Sequence, residues 1–303
     1  MSKTPGECFA YTLGLVVGEP CAGSGAKKGG WLGEVAGLLG AQGRQASVLK
    51  GIVPSGLSLL MKALGRFPCR NLRREVRGRV IEATTCLARS SLMKVLEVIG
   101  QSKVIAIVRT DREEGLEAAI EALSEGGLKA IEITLTTPGS LKILPRLAIR
   151  FPDLTLGIGT VISEEDVMRS LEAGASFLVA PILDLKALRL AQKNDVLLIP
   201  GCFTPTEIQQ AWEAGAPAVK VFPVPNPEYI KAIRAPLPNI SLVPTGGIDL
   251  RNARHYLEAG AFAIGIGGTL VNKNLIAQRD FREIRKRAES LTQLVRQSIS
   301  SQT

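Results

Sequence analysis

From Lys103 onward the chain repeats one local pattern eight times: a short apolar run, then a longer amphipathic segment. The runs are Val104–Arg109, Ala130–Leu135, Leu154–Gly159, Phe177–Ala180, Val196–Pro200, Ala218–Phe222, Ser241–Pro244 and Ala263–Gly267. They are rich in Val, Ile and Leu and show almost no alternating polar face, the pattern of parallel strands buried on both sides. The segments between them read as helices: Glu113–Glu125, Pro138–Arg150, Glu164–Ala173, Leu185–Asn194, Pro205–Ala214, Glu228–Ala235, Leu250–Ala259 and Asp280–Ser298. Pro138 and Pro205 suit a first helical position, and Ser163 and Asp249 suit N-caps. Gly126-Gly127 and the Ala-Gly-Ala triplets at 173–175, 214–216 and 259–261 mark helix ends. Eight such units in about 200 residues predict a closed (βα)8 TIM barrel, an α/β fold. The rival, an open doubly wound sheet, usually has a glycine-rich turn after its first strand. This chain has Thr110-Asp111-Arg112 there.

Residues 1–92 have a different character. They hold 13 Lys/Arg against 5 Glu and no Asp, whereas residues 93–303 hold 24 Lys/Arg against 23 Asp/Glu, so the formal charge of +9 is mostly local. The segment is glycine-rich from Gly23 to Gly43, apolar from Ile52 to Leu64 and basic from Arg66 to Arg79. Only Leu57–Leu64 has helical content, and no sustained period predicts a packed domain. Three readings stand: a basic arm for nucleic acid or an acidic surface, a targeting peptide for an organelle, or an extension ahead of a natural start at Met93-Lys94-Val95-Leu96. Few aromatics (Phe9, Tyr11, Trp31, Phe67) weaken base stacking, so nucleic acid is not the expected partner. The expected organisation is therefore a largely unstructured extension over 1–92 and a barrel over 93–303. No apolar run approaches the roughly 18 residues of a membrane span. Five irregularly spaced cysteines give neither a disulfide framework nor a zinc signature, which favours a reducing, cytoplasmic setting.

Active sites of such barrels lie at the C-terminal ends of the strands, and those ends isolate the unusual residues. Strand one ends in Arg109, strand two carries Glu132, strand three runs into Gly159-Thr160, and strand six carries Lys220. Strands seven and eight run into Thr245-Gly246-Gly247 and Gly267-Gly268-Thr269. Two adjacent glycine turns can converge backbone N–H groups on a phosphate, or can simply be tight turns. Glu132, between Ile131 and Ile133, faces away from both. It is either a reactive carboxylate or half of a structural ion pair with Arg109 or Lys220. Lys220, read alone, is a lysine whose stem packs inside while its ammonium reaches water.

Together, one lysine, one carboxylate and one arginine suit carbonyl chemistry on an anionic substrate. A neutral amine attacks a ketone to form a Schiff base that serves as an electron sink. Only about 4 in 10,000 free lysines are neutral at pH 7, a deficit of about 4–5 kcal/mol, and burial or a nearby cation reduces it. An arginine fork holds a carboxylate, and a glutamate shuttles protons. A metal-dependent aldol route would need several His and carboxylate ligands. The single histidine, His255, reads as a helix-surface residue, so the expectation is no metal and no cofactor.

The motifs AIVR (106–109), GGLKAIEITLTTP (126–138), GIGTV (157–161), IPGCFTPTE (199–207), VKVFP (219–223), VPTGGI (243–248) and GIGGTLV (265–271) give residues 94–298 a clear resemblance. They resemble the 2-keto-3-deoxy-6-phosphogluconate (KDPG) / 4-hydroxy-2-oxoglutarate (KHG) aldolases, trimeric class I enzymes. The resemblance implies that Lys220 forms the Schiff base and Glu132 is the general acid/base. Arg109 and Thr160 would hold the pyruvyl carboxylate, and Gly246, Gly247, Gly267, Gly268 and Thr269 the distal phosphate. It also implies a 2-keto acid substrate, cleaved to pyruvate and an aldehyde, and a homotrimer. Three places depart from the family pattern: a short loop at Val224-Pro225-Asn226, Ala180-Pro181 for Ser-Pro, and Thr136 where some relatives have arginine. Two other functions fit the same residues less fully: another phosphate-binding barrel (an isomerase or synthase), and a non-catalytic phosphate- or nucleic-acid-binding protein.

Overall fold

The computed structural model describes residues 92–300. The readings placed on residues 1–91 lie outside the described residues. A helix over 92–102 (α1) leads into β1 (Val104–Val108), α2 (Leu116–Glu125), β2 (Ala130–Thr134), α3 (Ser140–Arg150) and β3 (Thr155–Gly159). There follow α4 (Glu164–Glu172), β4 (Phe177–Val179), α5 (Leu185–Lys193), β5 (Leu197–Ile199), β6 (Gly201–Cys202) and α6 (Pro205–Glu213). The chain continues through β7 (Val219–Val221), α7 (Pro227–Arg234), β8 (Leu242–Pro244), α8 (Ala253–Glu258), β9 (Ile264–Ile266), α9 (Lys273–Ala277) and α10 (Phe281–Ser300).

All strand pairs are parallel, in the order β5-β4-β3-β2-β1-β9 and β6-β7-β8. β5 and β6 are two halves of one strand, separated by Pro200. A parallel bridge between Thr245 and Gly265 joins β8 to β9 and closes the ring. Each expected strand is present, trimmed by a residue or two. This is the predicted TIM barrel.

Alternation along the strands sorts the apolar side chains into two cores. Val104, Ala106, Ile131, Ile133, Ile158, Val219, Val221 and Ile264 pack outward against the helices. Ile105, Ala130, Phe177, Val179, Leu197, Ile199, Ala218, Val243 and Ala263 fill the barrel, joined by Val95 and Ile99 of α1. α1 therefore plugs the N-terminal mouth of the barrel, and it was not predicted. Glycine supplies room inside: a Cβ on Gly157 would come within 2.6 Å of the Phe177 ring.

Helix boundaries follow the expected chemistry with two corrections. Thr204 and Glu207 form a capping box ahead of Pro205, and the Ser163 hydroxyl accepts from the Asp166 N–H. Gly127, Gly174, Gly215 and Gly260 end their helices with φ of 82–91°. Pro138, however, lies in the turn before α3, whose N-cap is the left-handed Gly139. A Cβ on Gly139 would clash with the Glu113 side chain, so glycine sets the start. Asp249 caps the turn ahead of α8 rather than the helix itself, accepting from the N–H groups of Arg251 and Asn252.

Candidate active site

The inward register of each strand is set by its interior core residues. Ile105 places Arg109 on the inward face of β1, at its C-terminal end; Ala130 does so for Glu132, Ala218 for Lys220, and Val243 for Thr245. Glu132 sits between Ile107 and Gly157 in the sheet and is 2% exposed. Lys220 lies between Gly201 and Val243 and is 7% exposed, which excludes an ammonium held out in bulk water. Its Nζ lies 5.1 Å from the centre of the Phe222 ring. Arg109 is exposed at the mouth.

Burial pushes the Glu132 carboxyl above the usual carboxylate range, while the charges of Lys220 and Arg109 pull part of the way back. The sequence left the sign of this shift open. Desolvation wins. No hydrogen-bonded ion pair joins Glu132 to either cation among the described residues, so the purely structural ion pair is not formed. Glu132 and Lys220 share the buried interior with Arg109 exposed at its mouth, and the carboxyl is biased toward holding its proton.

Gly159 creates that space. It lies two residues beyond Gly157 on the inward face of β3, and a methyl group there would overlap the Glu132 carboxylate. Gly159→Ala should therefore displace the carboxylate, cost about 1–3 kcal/mol in stability and lower kcat. Denaturant melts and steady-state rates check both. The next residue, Thr160, is half-buried and has φ of 64°. A β-branched side chain in the left-handed region is strained, so this turn is held by its surroundings at the mouth beside Glu132.

The two glycine turns are brought together. Thr269 Oγ1 donates to the Ile248 carbonyl (2.6 Å), and Asn252 Nδ2 donates to the Gly247 carbonyl (3.0 Å). Gly246 and Gly247 have φ of 105° and 68°, and nothing lies within 4 Å of a Cβ placed on Gly247 or Gly268. The Thr269 hydroxyl spends its proton inside the protein, so its backbone N–H is the donor left for an anion. Gly247→Ala would strain the turn without any clash. It should raise KM for a phosphorylated substrate about tenfold or more while an unphosphorylated one is little affected, as pyruvate-release kinetics on the two would report.

Two residues at the mouth escaped the sequence reading. Thr245 is 6% exposed, faces inward and nests where Gly265 lacks a Cβ. Phe222 reaches from Lys220 toward Gly246, where a Cβ would lie 3.7 Å from its ring. Both sit inside quoted motifs, and inward parity from Val243 would have found Thr245. His255 is exposed on α8, as expected. Among the described residues no cluster of three His, Cys, Asp or Glu side chains could hold a metal ion, and no helix is long and apolar enough to cross a membrane.

A family model described as "Aldolase: KDPG and KHG aldolase" matches residues 95–287. The chain is 34% identical over 190 residues to the 2-dehydro-3-deoxy-phosphogluconate aldolase of Pseudomonas aeruginosa, covering 61% of this chain and 86% of that protein. It is 33% identical over 180 residues to the 2-dehydro-3-deoxy-6-phosphogalactonate aldolase of Escherichia coli, covering 58% and 88%. Among solved structures, KDPG aldolase from Legionella pneumophila, with pyruvate captured as a covalent carbinolamine intermediate, superposes with a TM-score of 0.59 at 30% identity. That superposition covers 65% of this chain and 96% of that one.

Proposed function

The chain belongs to the KDPG and KHG aldolase family, and on that premise we propose that it is a class I aldolase in which Lys220 is the Schiff-base nucleophile. It cleaves KDPG to pyruvate and glyceraldehyde 3-phosphate, with 4-hydroxy-2-oxoglutarate, giving glyoxylate, as the smaller substrate. Neutral Lys220 Nζ attacks the C2 carbonyl, and the carbinolamine hydroxyl leaves as water on the proton of Glu132, giving an iminium and the Glu132 carboxylate. Glu132, through a water, takes the C4 hydroxyl proton. The C3–C4 bond then breaks, its electron pair enters the iminium to give an enamine, and the aldehyde departs. Glu132 returns the proton to C3, and hydrolysis frees pyruvate and Lys220. Arg109 and Thr160 hold the pyruvyl carboxylate. Backbone N–H groups of Gly246, Gly247, Gly267, Gly268 and Thr269 hold the phosphate.

The observation that carries this reading is the shared interior position of Lys220 and Glu132, with the carboxyl raised by burial. A carboxyl so biased can hold a proton for the return step, and a lysine held away from bulk water suits a nucleophile. The test is pyruvate release from 4-hydroxy-2-keto acids with and without phosphate. Turnover of the phosphorylated acid with release of pyruvate supports the reading, whereas isomerisation without pyruvate would favour a different phosphate-binding barrel.

The catalytic domain is residues 93–303, with 1–92 an extension, and the expected setting is cytoplasmic. A homotrimer is supported by Ile162, Ile182 and Phe203, large apolar side chains exposed on the loops after β3, β4 and β6. These consecutive units present apolar surface of the kind that subunits cover.

A further inference from the structure

At the opposite end of the barrel from Lys220 lies a cavity of about 310 Å³. Lys103, immediately before β1, Ser241, immediately before β8, and Phe262, just before β9, place it at the N-terminal ends of the strands. Arg234, from the end of α7, Asn239 and Leu257 complete the part that matters here. Among the described residues two cations line this cavity and no carboxylate does. Among the described residues neither Lys103 nor Arg234 enters an ion pair.

Both side chains are held in place. Gly260, with φ of 90°, has no Cβ, and one built there would lie 2.6 Å from Arg234 Nε, so the guanidinium lies in a glycine notch. The Lys103 ammonium lies 5.8 Å from the centre of the Phe262 ring. Lys103 also has φ of 56° and ends α1 through its N–H bond to the Ile99 carbonyl. A left-handed cap position is met at lower cost by glycine or asparagine. The cap explains the backbone but not the lysine side chain.

Two half-buried cations facing one cavity repel each other. Burial, and then the charge of Arg234, hold the Lys103 ammonium below the usual lysine range. An anion between them reverses the sign of that interaction and adds charge-assisted hydrogen bonds. We propose that this cavity binds a small phosphate-bearing anion, gripped by Arg234 and Lys103. Asn239 and Ser241 supply neutral partners, and Leu257 and Phe262 lie against a short carbon body. The volume is at the lower end of the roughly 300–1,000 Å³ of small-molecule sites, which suits an organic phosphate of a few carbons better than a bare ion. The inference is independent of the catalytic reading.

The experiment is calorimetric titration of the full chain with inorganic phosphate and with glycerol 3-phosphate, at fixed ionic strength and free of other oxyanions. It uses the wild type, Arg234→Gln, Lys103→Gln and Lys103→Arg, each with and without Gly247→Ala so that binding at the active-site glycine turns is told apart, and follows heat-induced unfolding in parallel. In the Gly247→Ala background, where the active-site phosphate turns are already weakened, Arg234→Gln and Lys103→Gln should each weaken the remaining glycerol 3-phosphate binding about tenfold or more and lose the rise in melting temperature that it gives. Lys103→Arg should stay within a few-fold of wild type, and pyruvate release should be unchanged in all three. Tighter binding of inorganic phosphate than of glycerol 3-phosphate would overturn the organic-phosphate assignment. Binding unchanged in both glutamine variants would place the anion elsewhere and overturn the site. So would a wild type that binds neither probe while Arg234→Gln melts higher without ligand, the behaviour of an empty repelling pair. If Arg234→Gln does not fold, Lys103→Gln carries the same decision.

Discussion

Lys220→Met is expected to abolish pyruvate release, lowering kcat by about 10⁴-fold or more, because the substitution removes the atom that bonds to C2. Fold and stability should survive. Lys220 is 7% exposed on a strand whose inward neighbours are apolar, and methionine keeps the unbranched stem while removing a charge that is costly to bury. The melting temperature should therefore stay near the wild-type value or rise. The substitution also has an electrostatic signature. The Lys220 charge pulls the Glu132 carboxyl down against the larger effect of burial, so in Lys220→Met that carboxyl should titrate higher still. A lysine that merely spans to the surface would give neither the loss of turnover nor the shift.

Glu132→Gln is expected to lower kcat by about 10²–10⁴-fold, the range for a lost general acid/base, while leaving Lys220 able to form its adduct. Its effect on stability follows from the direction of the shift. The folded-state carboxyl is raised above its ordinary value of 4.5, mainly by desolvation. The folded protein therefore holds this proton more tightly than the unfolded chain does. The stability contributed by the protonated form is present below the ordinary carboxylate value, and it is lost as pH rises through the raised folded value. Glutamine has no proton to lose. Denaturant melts across a pH series should show Glu132→Gln gaining on the wild type from about pH 4 upward. A variant that instead lost ground with rising pH would mean that the carboxylate is stabilised by its cations, not penalised by burial.

Much of this architecture is legible in the residues because a parallel barrel writes plainly. Strands covered on both faces are short runs of Val, Ile and Leu, and Gly127, Gly174, Gly215 and Gly260 mark helix ends through a conformation other residues resist. Arg109, Glu132 and Lys220 stand out because charge is rare in such runs. What stayed hidden depends on three-dimensional partners. α1 falls within the expected barrel, whose start reads at Met93, but it is not legible as a helix until Val95 and Ile99 are seen filling the bottom of the barrel. Pro138 has the chemistry of a helix start, but the space beside Glu113 moves the start past Gly139. The sign of the Glu132 shift is a contest between burial and two charges, and only the surroundings weigh them. The cation pair of Lys103 and Arg234 joins residues more than a hundred positions apart.

The central claim is a covalent one, and the most direct measurement is covalent capture. Incubating the full chain with pyruvate and sodium borohydride, then mapping the product by mass spectrometry, should place a single reduced pyruvyl adduct on the peptide carrying Lys220. The adduct should be absent from Lys220→Met. No adduct on the wild type, an adduct on a different lysine, or one that persists in Lys220→Met would contradict the account.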